Sequence, residues 1–381
     1  MIPIDSKLPG SSDSIFSVVS KLVKEHDAIN LGQGFPNFDC PDDLKDLITH
    51  YLKAGKNQYA PMAGTMELRE ALAKKMNTAY SSNINPITDI TITAGATQAI
   101  FTTIQAFITQ GDEVILIEPA YDSYAPSVHL AGGNIKSVQL KAPTYKIDWD
   151  SVADKITDAT KMIILNSPHN PTGQILDNED HQQLEKLLEG SNILILSDEV
   201  YEHLVYDDSK HISLAAHPRL AQRTIATFSF GKTFHATGWK MGYCVAPENL
   251  MKEIRNIHQW NVFSVNSFLQ YALAEYLGDP SSYNTLSSFY QAKRDLFQEG
   301  MSKTPFKALP CHGTYFQLYD YSDISSLDDM AFTEYLVKEI GVGTIPLSPF
   351  YSANYSDKVL RFCFAKTDDI LLQAIDRLAA L

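Results

Sequence analysis

The sequence predicts an α/β fold, with a mostly parallel central sheet carrying helices on both faces and a smaller α+β unit formed by both chain ends. Three observations carry this expectation. Short apolar runs without polar alternation recur between longer helix-like stretches, the pattern of strands buried on both faces. Each run stops at a polar, Gly or Pro cluster. In the last third of the chain the runs alternate instead, like strands of an antiparallel sheet. The 381 residues suffice for one large domain or two ordinary ones. The boundaries expected are 45–275 for the large unit, and 1–44 with 276–381 for the small one.

Taken in order, Ile90–Thr93 reads as a strand, followed by a glycine turn and an apolar-periodic helix over Gln98–Phe107. Val114–Ile117 is the next strand, closed by Glu118-Pro119. Met162–Leu165, Ile193–Leu196, Thr224–Phe228 and Tyr243–Ala246 follow. Ser282–Gly300 then reads as a long helix. Thr314–Tyr319 and Val359–Phe364 read as half-buried antiparallel strands, flanked by helices at Met330–Ile340 and Asp369–Ala380. The N-terminal stretch, with its Gly32–Pro36 turn, is too short to fold alone and should pack on the second unit.

Composition excludes several classes. Lys plus Arg is 31 and Asp plus Glu is 45, a net charge of −14. Nucleic acid and anionic membranes call for a basic footprint, so neither is expected as a partner. Apolar runs such as Ile193–Leu196 fall far short of the roughly 20 residues that span a bilayer. Met1–Ser20 has no basic start followed by an apolar block, so no secretory signal is read there. Four scattered cysteines without a CxxC pair suggest a reducing, cytoplasmic setting. No HExxH or comparable ligand spacing is present, and no metal is expected.

In open α/β sheets, ligands bind at the C-terminal ends of the strands. The first strand ends in Ala94-Gly95-Ala96-Thr97 and opens a helix, whose free N–H groups suit a phosphate. Met162–Leu165 runs into Asn166-Ser167-Pro168-His169-Asn170-Pro171-Thr172-Gly173, a loop stiffened by two prolines and a glycine. Asn170 could present its amide to a ligand there. Ile193–Leu196 ends in Ser197-Asp198-Glu199-Val200-Tyr201. A carboxylate at a buried strand end wants a cation or a protonated nitrogen, or else serves as a helix N-cap. Thr224–Phe228 leads into Ser229-Phe230-Gly231-Lys232, where desolvation would make Lys232 a nucleophilic amine. Ser229 and Lys240 beside it could bind a phosphate. Arg361 sits inside the apolar run Val359–Phe364 and cannot shed its charge. It needs a carboxylate, either internal or from a substrate.

These pieces together resemble the fold-type I, class I/II aminotransferases over nearly the whole chain. The resemblance rests on Ser229 to Tyr243, on Asn170-Pro171-Thr172-Gly173, on Ser197 to Tyr201 and on Asn30-Leu31-Gly32-Gln33-Gly34-Phe35-Pro36. With His258-Gln259, that last run is similar to the methionine aminotransferase and kynurenine aminotransferase/glutamine transaminase K branch. The resemblance implies pyridoxal 5′-phosphate, with Lys232 holding it through an imine and shuttling a proton once freed. It implies that Asp198 pairs with the pyridine nitrogen, and that Tyr201 and Asn170 bond the ring oxygen. Ser229, Lys240 and the Gly95, Ala96 and Thr97 backbone would hold the phosphate, and Tyr121 would stack on the ring. Arg361, with Gly34 and Asn170, would hold the substrate carboxylate. Tyr59 would reach the phosphate of a neighbouring subunit, which implies a homodimer with shared active sites. One departure stands out: Ser-Phe-Gly-Lys replaces the Ser-x-Ser-Lys of many relatives, with no loss of catalysis expected.

A dicarboxylate donor would need a second arginine. Six others, Arg69, Arg219, Arg223, Arg255, Arg294 and Arg377, occupy polar contexts read as solvated faces. Phe16, Phe35, Tyr121 and Phe263 look like an aromatic pocket in this branch. The donors implied are methionine, aromatic amino acids and possible glutamine or kynurenine, with a 2-oxo acid as acceptor. A cysteine-S-conjugate β-lyase using the same lysine is the alternative. A cofactor-binding regulator would need an added DNA-binding domain, for which no room is read. A dehydrogenase is disfavoured because Gly32-Gln33-Gly34 lacks the third glycine of the dinucleotide fingerprint.

Overall fold

The computed structural model describes residues 2, 5–8, 13–353 and 355–381. Part of Met1–Ser20, the stretch read for a leader, lies outside them. The strands, in chain order, are β1 (Ile29–Asn30), β2 (Ile90–Thr93), β3 (Glu113–Glu118), β4 (Asn134–Gln139), β5 (Thr160–Asn166), β6 (Leu194–Asp198) and β7 (Thr224–Ser229). They continue with β8 (Gly242–Val245), β9 (Lys307–Ala308), β10 (Phe316–Asp320), β11 (Val342–Gly343), β12 (Ile345–Pro346) and β13 (Val359–Cys363).

Seven of these form one sheet in the order β2-β8-β7-β6-β5-β3-β4. Only β8 runs antiparallel to its neighbours, and the pairs from β7 to β4 are all parallel. The missing alternation has a direct cause. Val114 and Leu116 of β3 enter one apolar cluster, with Ile100 and Ile104 of the helix Ala96–Phe107. Their neighbours Ile115 and Ile117 enter another on the opposite face, with Leu184 and Val152. Both faces of each central strand are therefore apolar. The sequence reading missed β4, an edge strand of composition Asn-Ile-Lys-Ser-Val-Gln that is mostly half-buried. An edge position demands no continuous apolar run.

A second sheet has the order β12-β13-β10-β9 and is antiparallel throughout. The expected half-burial of its main strands is corrected. β13 is buried at all five positions and β10 at four of its five. Phe362 and Tyr319 pack with Phe297 and Leu371 of the helices Leu286–Met301 and Asp368–Leu378. Leu318 and Val359 join the cluster on one face of the large sheet, so neither face meets water. The helix expected over Ser282–Gly300 is broken into Ser281–Asn284 and Leu286–Met301. The one at Met330–Ile340 starts as α over Asp329–Tyr335 and widens to a π turn over Leu336–Ile340, ended by left-handed Gly341.

The N-terminal stretch packs as expected. The helix Ile15–Glu25 seats Ile15, Val19 and Val23 against Val337, Ile345 and Phe350. β1 pairs in parallel with β11, and the Cys363 N–H donates to the Leu31 carbonyl. All four cysteines are free and buried. No helix among the described residues is long and apolar enough to cross a membrane.

Candidate active site

The last residues of β5, β6 and β7, the turn after β2 and the first residue of β8 share one edge of the large sheet. A cavity of about 280 Å³ opens there. Gly95, Ala96, Thr97, Ser229 and Lys240 line one end of it, Asp198, Tyr201, Tyr121 and Lys232 the middle, and Gly34, Phe16, Phe35, Asn170 and Arg361 the other end.

The first end is built for an anion. Gly95 caps the helix Ala96–Phe107 with φ +78°, a conformation that favours glycine. A Cβ there would lie 3.4 Å from Lys240 Nζ. The ammonium and the helix N-terminus thus share one corner. Gly242 opens β8 so close to Ala96 N that a Cβ would approach it to 2.8 Å. Free N–H groups, an ammonium and the Ser229 hydroxyl together suit a phosphate.

Asp198, the last residue of β6, is buried. The Tyr124 hydroxyl donates to its Oδ2 at 2.6 Å and the Val200 N–H to its Oδ1 at 3.3 Å. Burial pushes its carboxyl up to about 6, partly opposed by the Tyr124 bond. The folded pKa exceeds the unfolded one, so its stabilising contribution is complete below about pH 4 and lost as pH rises through about 6. Without cofactor, Asp198→Asn should therefore unfold at a higher temperature than wild type at pH 8, by up to about 3 kcal/mol. The gap should close toward pH 4. Thermal melts at the two pH values check this, and an equal gap at both would count against it.

Arg361 lies in the middle of β13, fully buried. Its Nη1 donates to Asn170 Oδ1 and its Nη2 to the Gly32 carbonyl, both at 2.8 Å. The Phe316 ring centroid is 3.9 Å from the guanidinium carbon and that of Phe16 is 5.2 Å away. Among the described residues no ion pair reaches Arg361, and its Nε has no partner. Of the two sources left open for its carboxylate, no internal one makes contact, although the Asp122 carboxyl is near enough for Arg361 to oppose its upward shift by burial. A buried cation held only by neutral groups is costly until an anion arrives. Guanidinium donates only, so Asn170 must turn its oxygen to Arg361, and its amide N–H groups remain available.

The other arginines need a correction. Arg69 and Arg294 are buried rather than solvated. Arg69 donates to the carbonyls of Gly64 and Pro86, and Arg294 forks onto Asp207 at 2.6 and 2.7 Å. Arg255 is half-buried and donates to Thr91 and the Ile90 carbonyl. These are helix-borne side chains that neutralise loop ends, a use their polar surroundings in sequence did not betray. Arg361 alone among the seven lines the cavity.

Lys232 follows β7 in the short helix Phe230–Thr233. Its Nζ donates to the Tyr315 hydroxyl at 2.9 Å and the Gly34 carbonyl at 3.0 Å. Burial lowers its pKa to about 8. Gly231 before it has a structural reason, since a Cβ would lie 2.9 Å from Thr237 Cα. The departure from Ser-x-Ser-Lys fits this close backbone approach.

Two residues are not brought in. Phe263, expected as a pocket wall, follows the helix Glu248–Asn261 with φ +68° and stays largely on the surface. It does not line the cavity of its own chain. Its ring packs edge-on against Tyr59, 5.7 Å between centroids, and Tyr59 is 84% exposed. The sequence reading also missed Tyr124 and Tyr315, single tyrosines among small and polar neighbours that signal no role for them.

Residues 26–378 match the family Aminotransferase class I and II. The chain belongs to the class I and II aminotransferases. This aminotransferase is 45% identical to the methionine aminotransferase of Escherichia coli (strain K12), over 100% of its own length and 99% of the relative's. It is 35% identical to kynurenine–oxoglutarate transaminase 1 of Rattus norvegicus, over 97% and 96% of the two chains. Its fold matches the Escherichia coli crystal structure that identified a methionine aminotransferase function with a TM-score of 0.98, at 45% identity and full coverage of both chains. As an aminotransferase it moves an amino group between an amino acid and a 2-oxo acid.

Proposed function

We propose that this aminotransferase uses pyridoxal 5′-phosphate to take the amino group of methionine or aromatic amino acids, with glutamine and kynurenine as further candidates. The observation that carries this reading is a single cavity holding an enclosed lysine amine and a buried arginine that no carboxylate contacts among the described residues. The residues fit the cofactor. Gly95 brings no Cβ to its corner with Lys240, which is rich in donors for the phosphate. The Asp198 carboxylate, raised by burial, gains by facing a protonated ring nitrogen. Asn170 keeps amide donors, and Tyr201 its hydroxyl, for the ring oxygen.

When bound, pyridoxal phosphate supplies an aldehyde carbon for an amine and a ring that accepts the electron pair left at the donor's Cα. Arg361 grips the donor α-carboxylate in a two-pronged contact, helped by Gly34 and Asn170. Lys232, once free, would take the proton from the donor Cα and give it up at the cofactor's aldehyde carbon rather than back to Cα. Tyr121 covers the ring face, and Phe16 and Phe35 wall the side-chain end with apolar surface. Among the described residues Arg361 is the one arginine lining the cavity, and with Lys240 at the phosphate end and Lys232 engaged in the chemistry, a second carboxylate on the donor finds no counter-charge.

The division into a large unit over 45–275 and a small one from 1–44 and 276–381 belongs to this reading, as does a cytoplasmic location. So does a homodimer in which exposed Tyr59 and its neighbour Phe263 serve the partner's cavity. Both rings, with Trp260 close by in sequence, are apolar groups left largely exposed on one chain. The relatives compared are transaminases and lend the β-lyase alternative no support.

A donor panel on purified enzyme with a 2-oxo acid acceptor tests the proposal. Methionine and aromatic donors should exceed aspartate in kcat/KM by roughly a hundredfold or more, the scale set by an uncompensated buried charge. The protein should be yellow and bleached irreversibly by borohydride. Aspartate as the preferred donor would overturn the substrate reading, and a colourless, borohydride-indifferent active enzyme would overturn the cofactor. Pyruvate and ammonia released without acceptor would favour the lyase.

A further inference from the structure

Lys232 is surrounded by more order than a Schiff-base lysine requires for condensation alone. Its Nζ has two partners, the Tyr315 hydroxyl at 2.9 Å and the Gly34 carbonyl at 3.0 Å, and that hydroxyl in turn donates to the same carbonyl at 2.6 Å. The three polar groups close a triangle. The hydroxyl also lies within hydrogen-bonding reach of Tyr201; whichever of Gly34 and Tyr201 takes its hydrogen, the phenol oxygen still accepts from the lysine.

Each corner is fixed from behind. Gly34 is pressed onto Phe316 so tightly that a Cβ would lie 2.8 Å from its Cζ. Its flanks are held by Arg361 on the Gly32 carbonyl and by Lys366 on the Phe35 carbonyl, each at 2.8 Å. The Tyr315 ring is fully buried, edge-on to Tyr201 at 5.2 Å and against Tyr290 at 5.8 Å. Thr314 before it has φ +66°, and its carbonyl accepts from the Tyr206 hydroxyl.

We propose that the Tyr315 hydroxyl and the Gly34 carbonyl form a seat for the Lys232 amine whenever it is not bonded to carbon, and that Tyr315 is thereby a positioning residue for its proton transfers. The inference rests on the functional reading above. A neutral amine has two N–H groups, and the seat uses both. The nitrogen lone pair is then the one direction left open. When the amine takes the donor Cα proton, that proton becomes the third N–H and the two seat bonds persist. Giving it up at the cofactor's aldehyde carbon leaves the amine with its two N–H groups again, so no proton is left over. Without the seat, a four-carbon side chain would sample many rotamers between the two transfers.

The test is Tyr315→Phe, which removes one oxygen and keeps the ring. The comparison is Tyr290→Phe, an equal edit on the adjacent ring, whose hydroxyl makes no hydrogen bond among the described residues. In cofactor-stripped protein, the pH midpoint for acylation of Lys232 by a small amine reagent, read by peptide mass spectrometry, should fall in Tyr315→Phe. The ammonium loses an acceptor that the neutral amine needs less. In loaded enzyme, kcat should fall about tenfold, less than the roughly hundredfold or more expected for losing the acid–base group itself. Donor KM should hold within about twofold, and the isotope effect with Cα-deuterated donor should rise. Tyr290→Phe should leave all of these unchanged. The seat is overturned if Tyr315→Phe matches wild type in midpoint and isotope effect, or if Tyr290→Phe reproduces its changes. A wild type without cofactor-dependent transamination overturns the functional reading instead, and the acylation midpoint still decides the seat.

Discussion

Lys232→Ala yields a folded, colourless protein whose transamination falls by roughly 10⁴-fold or more, because nucleophile and proton carrier vanish together. No other amine substitutes for it. Lys240 also lines the cavity, but its Nζ is committed to the Gly95 corner, at the phosphate end. The fold should not suffer. The folded pKa of Lys232, about 8, lies below the ordinary 10.5. Its contribution to stability is therefore complete above pH 10.5 and lost as pH falls through 8. At pH 7 the cofactor-free variant should melt no lower than wild type, and it should lose that advantage near pH 10. Absorbance, turnover and melting temperature check all three statements. Normal turnover in this variant would sink the assignment of Lys232.

Arg361→Ala should raise donor KM by an amount equivalent to about 2–5 kcal/mol, the cost of truncating one side of a desolvated charge pair. Lost packing on Phe316 and orphaned acceptors on Asn170 and Gly32 could mimic part of this effect. The discriminating substrate is the donor's decarboxylated amine. With no carboxylate to grip, its weak turnover should be the same in wild type and variant. A loss shared by amino acid and amine would show a damaged cavity, and an unchanged amino-acid KM would make Arg361 structural.

Much of the site was legible because strand ends and motif loops announce themselves locally. Asp198, Asn170, Ser229 and Lys232 each follow a recognisable apolar run, and the fold carries those run ends to one edge. Arg361 was legible for a different reason: a permanent charge inside an apolar strand needs an explanation. Tyr315 and Tyr124 were not legible, since a buried tyrosine is ordinary core until its partners are known. Phe263 does not reach the cavity of its own chain, because an aromatic in sequence does not say which side of a helix end it will face. The burial of β10 and β13 was understated for a related reason. Their alternation was real, but a second apolar cluster covers the face expected to meet water.

The pairing of Ile29–Asn30 with Val342–Gly343, and of Leu31 with Cys363, also bears on how the chain is made. A ribosome delivers Phe16 and Gly34 long before Phe350 and Phe316, the residues that hold them. The nascent protein can complete the large sheet once Val245 has emerged, but the helix Ile15–Glu25 and β1 have no berth until β11, β12 and β13 follow. Contacts of such long sequence separation form late. Competence thus waits for β13, and a chain cut short before Arg361 would carry Lys232 yet lack the grip on substrate.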